Sequence, residues 1–174
     1  MDIVSKDYLN AAGSILTVEA RHSSYLRAQL GEPAFPPSYD TPLDFNEVHS
    51  LASQFFVSCP STNPTLAVTA FPKLTSTATS PVQSGQTITL LTPNYVLTDP
   101  NGSTGGQLYG AFMTPTGPIF TPAYATEGGY SVVVPAGVNG QTYVILTACN
   151  ERVNDETTAA GPAIIEVENQ DSFE

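Results

Sequence analysis

Apolar side chains recur along residues 3–30 at steps of three and four: Val4, Tyr8, Ala11, Ile15, Val18 and Leu26, with His22 on the same line. At about 100° per residue these positions form one stripe down a helix. Ser5 suits the N-cap, and Gly31 followed by Pro33 ends the pattern. A Pro-rich connector, Pro33-Ala34-Phe35-Pro36-Pro37, comes next. A second helix is expected to open at Thr41, with Pro42 in the first turn and Asp44 completing a capping box. Val48, Leu51, Ala52, Phe55 and Phe56 carry it to about Val57, and Cys59-Pro60 stops it.

From Ser61 the period changes from helical to alternating. Residues 61–81 are rich in Pro, Ser and Thr and read as an extended linker with one strand around Leu66-Ala67-Val68. Short alternating runs follow at 87–91, 108–113, 119–122, 130–134, 142–148 and 164–167. Turn signals separate them: Pro100-Asn101-Gly102, Gly128-Gly129 and Asn139-Gly140. Short strands at this spacing indicate an antiparallel sandwich of immunoglobulin-like type. The fold class is therefore α+β. It divides into a helical segment over 1–60, the linker over 61–81, a β-sandwich over 82–168 and an acidic tail over 169–174.

Composition narrows the choice of partners. The chain of 174 residues has a net charge of −11, which argues against nucleic acid and anionic membrane surfaces. Seven of its sixteen acids fall between Glu151 and Glu174, a solvated acidic end. Charged residues make up only 12%, against about 25% in ordinary soluble domains. That surface suits a secreted or cell-wall protein. No apolar run approaches the ~18 residues of a membrane span. Met1-Asp2-Ile3-Val4 has neither the basic nor the apolar region of a secretory leader. A secreted-type body without a leader suggests that these residues belong to a longer chain.

Few residues carry candidate chemistry. Glu19-Ala20-Arg21-His22 is a Glu-x-x-His, the half-site that one helix contributes to a di-iron bundle. The chain has only two His, so it cannot supply the second Glu-x-x-His and the further carboxylates as well. Glu19 and His22 are either ligands for iron or manganese or a hydrogen-bonded polar pair in a helix interface. Asp44, Glu47 and His49 read as structural, with Asp44 at a cap. Cys59 and Cys149 form either one disulfide or two free thiols. Asn101-Gly102-Ser103 is an N-glycosylation sequon, and Asn101 the candidate acceptor. No nucleophile elbow or phosphate-binding loop is present. Tyr95, Tyr109, Tyr124 and Tyr130 could stack on sugar rings, which leaves a carbohydrate-binding sandwich as an option.

The segment 15–22, Ile-Leu-Thr-Val-Glu-Ala-Arg-His, resembles the last bundle helix of the fungal ferritin-like stress proteins, the desiccation-related group. Asn46-Glu47-Val48, Ser58-Cys59-Pro60, Gly128-Gly129-Tyr130-Ser131-Val132, Pro135-Ala136-Gly137-Val138 and Ala160-Gly161-Pro162-Ala163-Ile164 are similar to the C-terminal portion of that family. The earlier helices of the ferritin-like domain have no counterpart here. The resemblance implies a secreted or stress-induced protein and places the family's metal ligands at Glu19 and His22 alone.

The leading expectation is a structural or interaction module without enzymatic activity and without a cofactor. Its first helix pairs through Val4, Tyr8, Ala11, Ile15, Val18 and Leu26 with a second copy or with a chain supplying the missing bundle helices. The alternative is one subunit of a split ferritin-like oxidase, with Glu19 and His22 completing an iron or manganese centre between chains.

Overall fold

The computed structural model describes residues 3–35, 37–79, 81–93 and 106–168. The chain divides into two compact units, Met1–Ser38 and Tyr39–Glu174. The Pro100-Asn101-Gly102 turn, Tyr95 and Asn101 lie outside the described residues, as does the tail over 169–174.

The first unit is one long helix, α1 (Lys6–Gln29). Ser5 caps it in extended backbone, its side chain accepting from the Tyr8 amide. At the other end Gly31 has φ 79°, and the amides of Gly31 and Glu32 reach back to the carbonyls of Ala28 and Arg27. This is the Schellman arrangement, which satisfies carbonyls that the helix leaves unpaired. Arg27 in the last turn also donates from Nε to the Pro33 carbonyl at 2.7 Å, tying down the chain after the turn.

The second unit opens with α2 (Phe45–Ser53), shorter than the expected 41–57 and capped by a different residue. Asp44, not Thr41, is the N-cap. Its carboxylate accepts from the Glu47 amide, and the Glu47 carboxylate accepts from the Asp44 amide, both at 2.7 Å. Two orphan donors are satisfied reciprocally, which a cap at Thr41 could not match with Asp44 as its distal residue. At the C-terminal end the amides of Phe55 and Phe56 bond three residues back, so the helix tightens and stops before Val57.

The segment after α2 is fastened rather than free. Ser50 Oγ donates to the Asn46 carbonyl at 2.6 Å and accepts from the Phe71 amide at 2.8 Å. Asn46 Oδ1 accepts from the Thr69 amide at 2.8 Å. Pro72 then offers its carbonyl to the Gly161 amide in the sheet at 3.0 Å. The strand expected at 66–68 does not form, and the residues just after it, Thr69 and Phe71, are held by α2 side chains instead. Ser50 is buried, so its loss leaves the Phe71 amide without a partner. Ser50→Ala should therefore lower stability by about 1–3 kcal/mol, read as a fall in the denaturant midpoint with an unchanged slope.

Seven strands follow: β1 (Thr75–Ser76), β2 (Thr87–Leu91), β3 (Leu108–Phe112), β4 (Ile119–Thr126), β5 (Gly129–Val133), β6 (Gly140–Thr147) and β7 (Thr158–Val167). Their order is β1-β2-β5-β4-β3-β6-β7, and every named pair is antiparallel. Grouped as β1-β2-β5-β4 and β3-β6-β7, this is the strand arrangement of an immunoglobulin-like sandwich. The two halves are joined by β4, whose residues 119–123 pair with β3 and 124–126 with β5. A parallel bridge between Val82 and Val167 ties the lead-in to β2 to the end of β7 and nearly closes the sheet into a barrel.

Two strands are longer than their sequence pattern suggests. β4 continues past Pro122, which faces Tyr109 just before the change of partner. β7 starts six residues before 164 and runs through Gly161-Pro162, where the register against β6 shifts between Val144 and Leu146. The irregularity accommodates a pair of residues that would otherwise end a strand. Between the layers lies an apolar core built on Ile88, Leu90, Leu108, Phe112, Val132, Val144, Leu146 and Ile165. α2 lies against β7.

Candidate functional site

The candidate site is the surface of α1. A helix of 24 residues presents its apolar stripe over about five turns or more, and no residue of it is buried. Val4, expected on the stripe, lies before the Ser5 cap and is 92% exposed, and on the helix Tyr8 is 74%, Ile15 53% and Leu26 60% exposed. Ala11 is also exposed, and Val18 is half-buried. Leu9, Leu16, Tyr25 and Leu30 add exposed apolar area on the flanks of the stripe. Single exposed apolar residues are ordinary, but a contiguous file of them marks an interaction surface.

Glu19 and His22 are exposed on this helix, one turn apart. They offer one carboxylate and one imidazole, two donors to a site that needs several more. Among the described residues no group of three or more His, Cys, Asp or Glu is placed to hold a metal ion. Among the described residues the donor set therefore does not by itself fit an iron or manganese centre.

The acidic residues of α2 have a different role. Glu47 is 4% exposed and is held by the capping box. Burial, above all, raises its pKa; the Asp44 amide opposes this, and the charges of Asp44 and Asp155 push it further up. A carboxyl whose folded pKa is raised contributes its stability below the unfolded value and loses it as pH rises through the folded value. Glu47→Gln keeps an acceptor for the Asp44 amide and removes the buried charge. The variant should gain on the parent at pH 7, and the difference between their melting temperatures should shrink toward pH 4. A constant difference across that range would show that Glu47 does not titrate in this way. His49 leans on Phe56, ring centroids 6.0 Å apart, in a packing contact.

The remaining candidates are dispersed. Cys59 is exposed beyond α2, and Cys149 is half-buried beyond the end of β6; both are free thiols in the structure. Neither belongs to a strand, so they do not correspond to the inter-sheet bridge of antibody domains. Tyr124 is exposed on β4, whereas Tyr130 packs against the core. A surface that sequence reading passed over is the exit of α2. Phe55, Phe56 and Val57 continue the helical pattern in the sequence, yet they are exposed beyond the helix end. The short cap-to-stop distance set by Asp44 was the available signal.

Comparison with known proteins bears on the same helix. Residues 1–32 match the ferritin-like domain family. No curated protein matches the chain. The match covers α1 with Glu19 and His22 and ends at the Schellman turn, so the relation to ferritin-like domains belongs to the first unit. No helix among the described residues is long and apolar enough to cross a membrane.

Proposed function

We propose that the protein is a non-enzymatic interaction module related to the fungal ferritin-like stress proteins, and that α1 pairs with another chain. The observation that carries this reading is the coincidence of two features on one helix. The segment that matches a ferritin-like domain is also the segment with an uncovered apolar file. A ferritin-like helix is amphipathic because it is built to pack among other helices, and its inner face is the one that remains apolar. Burying an aliphatic side chain such as Ile15 contributes about 1.5–3 kcal/mol, so covering the stripe drives association. The sandwich then serves as a stable, acidic body carried by the assembly.

The test is the mass of the species that contains this chain when it is isolated from its natural source. An assembly larger than one chain is expected. Ile15→Asp with Val18→Asp should release the chain while the sandwich keeps its thermal transition. A monomer in the unmodified material would overturn the reading.

A second reading rests on the Glu-x-x-His lying inside the ferritin-like match. Here the partner supplies the missing carboxylates and imidazole, and Glu19 and His22 join an iron or manganese centre between chains. Near-stoichiometric metal in the isolated assembly, lost in Glu19→Ala and His22→Ala, would favour it over the structural role. We place the protein outside the cell or in its wall, in keeping with the sparse surface charge. Glycan on Asn101 in material from the natural source is the expected sign of that route, and an unmodified Asn101 in every molecule would count against it.

A further inference from the structure

We infer that the chain covering α1 is a second copy of α1, packed antiparallel as a short coiled coil. This rests on the reading that α1 pairs with another chain, and it names the partner. Val4 lies before the cap, and within the helix Tyr8, Ala11, Ile15, Val18 and His22 are spaced three, four, three and four. That is the alternation of a heptad seam, in which one helix packs its knobs into the holes of another. Tyr25 continues the seam by a further step of three.

The antiparallel direction follows from size and charge along the seam. Set Ala11 of one copy against Ile15 of the other, and the smallest seam residue meets a large one. Tyr8 then meets Val18, and both contacts occur twice by symmetry. In the same register the positions that flank the seam bring Asp7 opposite Arg21, also twice. A parallel pair instead sets Asp7 against Ala12 and Arg21 against Leu26, leaving these charges without opposite partners across the seam. Gly13 falls on the outer face, where a side chain would meet nothing within 4 Å.

The charge of the rest of the chain points the same way. Residues 1–38 hold three Lys and Arg against four Asp and Glu, whereas residues 39–174 hold two against twelve. Two sandwiches therefore repel each other, and the near-neutral helix is the place where two copies approach at least electrostatic cost.

The arrangement has a consequence for Glu19 and His22. In this register His22 reaches the level of position 4, just past the partner's Ser5 cap, so the two His22 residues are separated by 18 positions, about 27 Å at 1.5 Å per residue. The pair cannot unite two Glu-x-x-His motifs, so it forms without metal.

The experiment uses the full chain, purified alone in the presence of a chelator. Sedimentation equilibrium is expected to give a dimer. Asp7→Arg or Arg21→Asp alone should raise the dissociation constant on the order of tenfold, and the two together should restore it. Ser14 opposes itself across this seam. With Cys59 and Cys149 changed to Ser, Ser14→Cys should give a disulfide-linked dimer on mild oxidation. A dimer unaffected by Ile15→Asp would locate self-association elsewhere, with the exposed Phe55–Phe56–Val57 surface the first place to look, and would overturn the proposal. So would a dimer whose Ser14→Cys variant fails to cross-link. A monomer here, with an α1-dependent assembly in source material, would overturn self-pairing and leave the broader reading standing. Monomers in both would end both.

Discussion

Gly129→Ala should unfold the sandwich or lower its stability by about 3 kcal/mol or more, although it adds a single methyl group. Gly129 opens β5 in the centre of its layer, paired with Leu91 of β2 on one side and Thr126 of β4 on the other. A Cβ at this position would sit directly on the Leu90 carbonyl oxygen and within 3.0 Å of Leu91 Cα. The obstruction is backbone, so no rotamer relieves it. Strands β2 and β5 would have to separate where Leu90 is fully buried. Gly128 just before it has φ 76° and makes the turn, but a Cβ there meets only Leu91 Cδ2 at 3.8 Å. Gly128→Ala should thus cost only about 1–2 kcal/mol, the strain of a left-handed residue. Thermal or chemical melting of the two variants separates these mechanisms. Equal losses would mean that the turn, and not the approach of β5 to β2, is what requires glycine.

How much of this was visible in the sequence varies by element. α1 was legible because its cap at Ser5, its stop at Gly31 and its stripe are all local signals, although Val4, counted in the stripe, lies before the cap. Gly128-Gly129 was legible as a turn, though which glycine is needed for φ and which for space depends on β2, far off in the chain. The start of α2 was misplaced because Thr41-Pro42 and Asp44 are both acceptable openings; the reciprocal bonds with Glu47 decide between them. β4 and β7 were cut short at Pro122 and at Gly161-Pro162, since the pattern treats these residues as breaks. The sheet tolerates them because β4 changes partner there and β7 shifts register. The fastening of residues 69–72 to Asn46, Ser50 and Gly161 left no trace, as it runs through backbone groups whose partners are more than twenty positions away. For the candidate site, sequence identified the helix and its face, and the exposure of that face is what the structure adds.

Phe112→Ala should cost about 3–5 kcal/mol, the usual range for truncating a buried aromatic ring. Phe112 is fully buried and is among the largest side chains in the core. It closes β3, where that strand is held between Ile119 of β4 and Val144 of β6. The ring fills space that no neighbour can reclaim without moving a strand, because the surrounding residues are themselves fixed by cross-strand pairing. Its loss should therefore be felt by the whole sandwich as one cooperative transition at a lower temperature. The same variant also tests the division of the chain. α1 belongs to the separate unit Met1–Ser38, and its N-cap and C-terminal turn are made by its own residues. If α1 is held by its own pairing, the weakened sandwich should melt first. Helical signal and α1-dependent mass should then persist above that transition. Simultaneous loss of the sheet, the helix and the assembly would show instead that α1 depends on the sandwich for its order.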